Sequence, residues 1–403
     1  MPQTKRKPLK YVLLALSTGL IALGLLAFWQ LRFAEELTKY YDEETGNVLI
    51  GYDRIQKKWL FDEPQAYEPG PDGPYIFSDR SRVMQVIPAG DSFMVQVGDV
   101  RRDTFTCMVD NVDRNMFGFR LMDSIVTPPA TCAAPERLLA VSDIEGNFRA
   151  FAMVLIGNGV VDRNLNWIFG SGHLVLNGDF MDRGDNVTQC LWLIYKLEQE
   201  AAAAGGRVHY ILGNHEQLNL QGNLKYVAGK YRELIRRTGL PYRDLYGPDT
   251  ELGKWLRSRN VIEKIGEDLY VHGGLSPEIA AQRLSPEQMN TICRRFIDRK
   301  QPADGLARQL LGMDGLLWYR GLVGDKENKL SAAAVNASLD AIGARRIIVG
   351  HTIVNEVSAD CNGRVIRLDV HHAATEPQAL WVEGGRYYRT DARGTKTLIA
   401  QNN

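Results

Sequence analysis

The sequence predicts an α/β protein with a smaller β-rich region ahead of the main fold. Three observations carry this. From Leu138 onward, apolar strands alternate with polar loops and helical stretches, the texture of an α/β core. Between residues 45 and 130 the apolar residues instead alternate with polar ones in short runs, as half-buried antiparallel strands require. The 403 residues also exceed the roughly 250 to 300 at which a single core stops growing.

Taken in order, the chain opens with a basic tail at 1–10, where Lys5, Arg6, Lys7 and Lys10 precede an uncharged run from Tyr11 to Leu31. That run matches the roughly 20 residues needed to cross a hydrocarbon core. Tyr11 and Trp29 stand where interfacial aromatics belong, and the basic flank keeps the N-terminus inside. The expectation is a single-pass signal anchor over 11–31, with the rest on the periplasmic or extracellular side. A cleaved signal peptide is the alternative, although its apolar region is usually shorter.

The β-rich region at 45–130 contains Ser81-Arg-Val-Met-Gln-Val-Ile87, Ser92-Phe-Met-Val-Gln-Val97 and Met116-Phe-Gly-Phe-Arg-Leu-Met122, and a small sandwich or barrel is its simplest form. Pro128-Pro-Ala-Thr-Cys-Ala-Ala-Pro135 reads as a boundary. A larger domain at 136–392 and a tail at 393–403 follow. In the larger domain the pattern predicts a strand at 138–141, a helix at 148–156, a strand at 174–176, a helix from 187 to about 204 and a strand at 208–212.

Acidic and basic residues balance at 48 each, so nothing points to a nucleic-acid partner. All seven histidines fall after residue 170. The five cysteines, at 107, 132, 190, 293 and 361, have no CxxC or other zinc spacing and are not expected as the metal ligands. Cys107 and Cys132 either pair in an oxidising compartment or remain buried thiols.

Five short motifs each follow an apolar strand: Ser142-Asp-Ile-Glu-Gly-Asn147, Gly178-Asp-Phe-Met-Asp-Arg-Gly184, Gly213-Asn-His-Glu216, His272-Gly-Gly274 and Gly350-His-Thr352. Ligands in open α/β sheets collect beyond the carboxyl ends of strands. In this order the motifs resemble the calcineurin-like metallophosphoesterases, in the phosphoprotein phosphatase branch, over roughly residues 138 to 372. Gly213-Asn-His-Glu-Gln-Leu-Asn-Leu-Gln-Gly222 and Leu316-Leu-Trp-Tyr-Arg-Gly321 are similar to the bacterial Shewanella-like phosphatases. The resemblance implies a sandwich of two mixed sheets flanked by helices.

It also implies a site for two divalent metal ions, which need a shared carboxylate and further oxygen or imidazole ligands. Asp179 is the natural bridge. Asp143 and Glu145 would complete one ion's set, and Asn214, His272 and His351 the other's. A metal-bridging hydroxide would then attack a phosphate monoester directly. Arg183 and Arg320 would neutralise phosphoryl charge. His215, oriented by Asp182, would protonate the leaving oxygen. The family usually has histidine where this chain has Glu145, and a hard anionic ligand there favours Mn²⁺ or Mg²⁺ over zinc, with manganese expected and iron, zinc or magnesium the alternatives. Ile353 stands where the wider superfamily often has a further histidine, as in the phosphoprotein phosphatase branch.

The expected activity is therefore a membrane-anchored phosphatase acting on phosphoprotein, at Ser/Thr or Tyr, or on small phosphate esters. A diadenosine-tetraphosphate-type pyrophosphohydrolase and a degenerate, non-catalytic binding module are the alternatives. His371 and His372 either line the pocket or cap a strand end. His173 and His209 read as structural. Lys230-Tyr-Arg-Glu-Leu-Ile-Arg-Arg237 reads as the solvated face of a helix or as a lip attracting acidic substrates.

Overall fold

The computed structural model describes residues 40–41, 48–53, 58–61, 70–77, 82–89, 92–98, 104–109, 116–323 and 329–402. The expected anchor at 11–31 lies outside the described residues. Among the described residues no helix is long and apolar enough to cross a membrane. By compactness the chain divides into Met1–Ala66 and Tyr67–Asn403. In the first unit β1 (Tyr40–Tyr41), β2 (Val48–Asp53) and β3 (Lys58–Phe61) form an antiparallel sheet.

The second unit is built on two six-stranded mixed sheets. One has β10 (Arg137–Val141), β11 (His173–Asn177) and β12 (Arg207–Ile211) in parallel, extended by the antiparallel β18 (Gln378–Glu383), β19 (Arg386–Asp391) and β20 (Lys396–Gln401), in the order β12-β11-β10-β18-β19-β20. The other runs β16 (Ser358–Asp360), β17 (Val365–Arg367), β15 (Arg346–Val349), β14 (Asp268–Val271), β13 (Ile262–Ile265), β9 (Thr131–Cys132).

Side chains alternate across each strand, and this sorts the apolar residues into two layers. Leu138, Ala140, Val175 and Ile211 of the first sheet meet Ile265, Tyr270, Ile348 and Ile366 of the second in one buried cluster. Leu139, Val141, Leu174, Leu176, Val208 and Tyr210 join the larger cluster that includes the helices Phe148–Gly157 and Val187–Ala203. Strands covered on both faces read as continuous apolar runs, which is why their positions were predictable. Each such buried Leu, Val or Ile contributes about 1.5–3 kcal/mol.

The β-rich region is present, and its described strands form separate small sheets, with no closed sandwich or barrel among the described residues. Among the described residues, β4 (Asp72–Ile76), β5 (Val83–Ala89) and β6 (Ser92–Gly98) form one sheet and β7 (Thr104–Met108) with β8 (Met116–Arg120) a separate pair. Sheets of two or three strands need an outside partner to be stable. Here the partner is the helix Val187–Ala203. Trp192 stacks on Phe119 with ring centroids 4.2 Å apart and donates its indole N–H to the Pro74 carbonyl at 2.8 Å. Gln189 donates to the carbonyls of Pro71 (3.0 Å) and Met108 (3.2 Å). The helix is buried nearly all round because it has the sheet on one side and this β region on the other.

One further expectation is corrected and one open alternative is decided. The helix Gly229–Thr238 does not present Lys230 to solvent: that side chain is buried, with its ammonium donating to the carbonyls of Pro71 (2.8 Å) and Asp185 (2.9 Å). Arg236 and Arg237 both pair with Glu233 and stay exposed on the solvated side of that helix. Cys107 and Cys132 are not bridged, and all five cysteines are free thiols.

Candidate active site

The loops after β10, β11, β12, β14 and β15 carry the five motifs and meet at one end of the sandwich. They are laced by backbone. The Asp143 amide donates to the Gly178 carbonyl (3.0 Å), Glu145 to Asp179 (2.9 Å), Gly146 to Phe180 (2.9 Å), Gly184 back to Glu145 (2.9 Å), and Gly350 to His272 (2.8 Å). Glycines stand where the loops touch. A Cβ at Gly213 would overlap the Asp179 carboxylate, and one at Gly350 would overlap Ser142.

Asp143, Glu145, Asp179, Asp182, Arg183 and His351 all adopt left-handed backbone, with φ between 49° and 72°. Among the described residues only four other non-glycine residues do so. Such conformations cost free energy and persist where surrounding structure enforces them, typically at functional sites.

One buried carboxylate organises the loop after β11. Glu216, at the third position of the helix Asn214–Leu220, accepts the N–H groups of Gly213 (2.7 Å), Asp179 (2.9 Å), Phe180 (2.8 Å) and Met181 (3.1 Å). The Asp179 carboxylate in turn accepts the His215 N–H at 2.9 Å. In the sequence Glu216 is only the last residue of its motif, and nothing there displays this role.

Asp179 belongs to two groups of donors. Its carboxylate, His272 and His351 offer atoms all within 4.8 Å of one another, and so do Glu145, Asp179 and His215. His272 Nδ1 lies 2.8 Å from the Asn177 carbonyl and so carries its proton there, while Nε2 faces Asp179 Oδ2 and Asn214 Oδ1, each at 3.0 Å. A nitrogen aimed at two oxygens must hold a proton or face a cation. Burial alone would depress the His272 pKa, but Asp179 and Asp143 outweigh it and push it up to about 10. His351 Nε2 is buried with no hydrogen-bond partner, an arrangement that costs free energy unless a ligand completes it.

Asp143 sits beside this group and outside both trios. Its carboxylate accepts the Ser142 hydroxyl and the His351 N–H, the latter at 3.2 and 3.3 Å to its two oxygens. Burial, with Asp179 nearby, pushes it up to about 6 against the pull of His272. Asp369, also buried, is pushed up to about 9 by burial and by Asp143. Three buried carboxylates crowded in this way are what divalent cations offset. The donor set therefore fits the metals that the motifs imply.

The remaining candidates surround the donors. His215 Nδ1 lies 2.6 Å from Asp182 Oδ2, and Asn219 donates to the other Asp182 oxygen at 2.8 Å. Burial would lower the His215 pKa, yet Asp179 and Asp182 raise it above the ordinary histidine value. Arg183 forms an ion pair with Glu145 and stands 5.3 Å over the Tyr226 ring. Arg320 is exposed and anchored through Nη1 to the His351 carbonyl (2.8 Å) and the Thr352 hydroxyl (3.1 Å). His371 is exposed, whereas His372 is buried with Nε2 3.1 Å from the Ser142 carbonyl. Asn177, Asn219, Tyr226 and Asp369 were not singled out from sequence, because none carries a motif of its own.

A family model for the calcineurin-like phosphoesterases matches residues 136–355. The chain belongs to that family. It is a metallophosphoesterase, a hydrolase whose homologues include Shewanella-like protein phosphatase 2 of Arabidopsis thaliana, 28% identical over 59% of this chain and 71% of that protein. Shewanella-like protein phosphatase 1 of Plasmodium berghei is 29% identical over 58% of this chain and 66% of that protein. Among solved structures, the cold-active protein-tyrosine phosphatase of a psychrophilic Shewanella species is 31% identical, with a TM-score of 0.74, covering 82% of this chain and 99% of that one.

In this phosphoesterase, Glu216→Gln sets an amide NH₂ against backbone N–H donors. Support of this kind typically changes metal affinity about 10–100-fold, and a loss of that size is expected on titrating the apoprotein with Mn²⁺. Unchanged affinity would show that the loop holds its form without the carboxylate.

Proposed function

We propose that this chain is a dinuclear-metal phosphatase that hydrolyses phosphate monoesters on proteins, at tyrosine or at serine and threonine. The observation that carries the reading is the pair of donor groups sharing Asp179, one of them containing the unpartnered buried nitrogen of His351. The protein substrate is supported by the Shewanella tyrosine phosphatase, nearly the whole length of which this chain covers.

Asp143, Glu145 and Asp179 would hold one ion, and Asp179, Asn214, His272 and His351 the other. Bound there, divalent metals supply Lewis acidity at the phosphoryl oxygens and lower the pKa of water from 15.7 towards about 7. Chemistry of that kind would favour direct attack of water on phosphorus, with no phosphoenzyme. Arg183 and Arg320 orient the phosphoryl oxygens and balance their charge. Arg320 spends one nitrogen on His351 and Thr352 and keeps its other donors for phosphate. Arg183 exchanges Glu145 for the substrate, which frees Glu145 for metal. His215 holds the proton that the leaving oxygen needs, and Asp182 with Asn219 fixes the ring and favours its charged form.

Asp182→Asn removes that support. The expected outcome is a fall in kcat on p-nitrophenyl phosphate within the roughly 10²- to 10⁴-fold range of acid catalysis, at unchanged metal content. A phosphopeptide panel run beside dinucleotide polyphosphates tests the substrate class, and faster turnover of the dinucleotides would overturn it.

Glu145 sets metal preference in this reading, with Mn²⁺ or Mg²⁺ favoured. Glu145→His is expected to shift the metal recovered with the protein towards zinc or iron. Identical metal content and turnover in the variant would show that Glu145 is not a ligand.

The membrane tether is proposed from sequence alone, on the apolar run from Tyr11 to Leu31 and its basic flank. The full chain is expected in the alkali-resistant membrane fraction with its phosphatase unit open to external protease. A fragment from about residue 35 is expected in the supernatant. Recovery of both in the supernatant would remove the anchor.

A further inference from the structure

A second group of metal-type donors lies at the other end of the sandwich. His173 opens β11, far along the strand from the Asp179 loop, and His209 lies in β12. Since His173 pairs with Arg207 and Val175 with His209, the two histidines project from one face of the sheet, on the diagonal. That face is the one Val175 and Ile211 turn towards the second sheet. From the second sheet, Cys132 pairs with Ile265, two residues beyond Glu263, so Cys132 and Glu263 share a face as well. The four side chains meet between the sheets.

The contacts there are those of a ligand set and its support. His209 Nδ1 lies 2.6 Å from Glu263 Oε2, and Asn260 donates to the other Glu263 oxygen at 2.9 Å. The carboxylate thus holds the proton on Nδ1 and leaves Nε2 as the lone-pair nitrogen, as in the carboxylate–histidine–metal arrangement. Nε2 faces His173 Nδ1 at 3.0 Å, and donor atoms of Cys132, His173 and His209 all lie within 4.8 Å of one another. Burial raises the Cys132 thiol pKa, and the nearby Arg207 opposes that rise. Cys132 and His173 are only partly buried, so an ion can enter and a water can complete its shell.

We infer that Cys132, His173 and His209 form a zinc site, separate from the phosphatase centre, that staples the two sheets together with Glu263 as the orienting carboxylate. Two imidazoles and a thiolate are the donors zinc prefers, and three protein ligands plus water make a four-coordinate shell. Local cysteine spacing could not reveal the site, because its donors come from three strands in two sheets.

The test uses the full chain, stripped of metal and reconstituted with Co²⁺. None of the ligands proposed for the phosphatase centre is a cysteine, so a thiolate-to-cobalt charge-transfer band in the near ultraviolet reports on this site alone. The band is expected in the wild-type protein and lost in Cys132→Ser, while p-nitrophenyl phosphate turnover is retained. His173→Gln, also at a partly exposed position, is expected to weaken the band, and both variants should retain one zinc per chain fewer than the wild type after dialysis. No band in the wild type, or the same band in Cys132→Ser, would overturn the site and leave the phosphatase reading untouched.

Discussion

The active end of this protein depends on the burial of one charge. Glu216 is fully buried, a position that a carboxylate occupies only when its oxygens are satisfied. Burial and the nearby Asp179 raise its pKa, and the surrounding backbone N–H groups act in the opposite direction. Those N–H groups are what shape the loop after β11. By drawing the amides of Asp179, Phe180 and Met181 onto a helix that begins with Asn214 and His215, Glu216 fixes the shared aspartate relative to residues from the next motif. The lacing of the Asp143 loop onto Gly178 and Asp179 then brings in the first motif.

The sheets make this arrangement available. Three parallel strands in sequence order, β10, β11 and β12, deliver their following loops to one edge, and β14 with β15 does the same in the second sheet. Stacking of the two sheets around the Ile348 and Val175 layer brings the edges together. Asn177 ties them. Its side chain donates to the carbonyls of Val271 (3.2 Å) and Ile348 (3.3 Å), and its own carbonyl receives the His272 proton.

Much of this was legible in the sequence, for a physical reason. Doubly covered strands must be apolar throughout, so 138–141, 174–176 and 208–212 announce themselves, and the motif residues follow directly. What stayed hidden acts across sequence distance. Glu216 and Asn219 work through backbone amides and a second carboxylate, and Asp369 acts through crowding. The strands from β4 to β8 were legible but not how they assemble, because their core partner is a helix about 70 residues further on, past Arg120. Lys230 was misread as solvated because its partners are carbonyls from Pro71 and Asp185, which no charge pattern displays.

The left-handed backbone of Asp143, Asp179, Asp182 and His351 bears on descent as well as on mechanism. Side chains other than glycine hold that conformation at a cost of about 1–3 kcal/mol each, and a chain with no reaction to perform gains by drifting to glycine or asparagine there. Selection for the fold alone would erase such residues first. Their clustering in strained positions is what a working site requires, and in relatives of this protein the same positions are where its loss would first be visible.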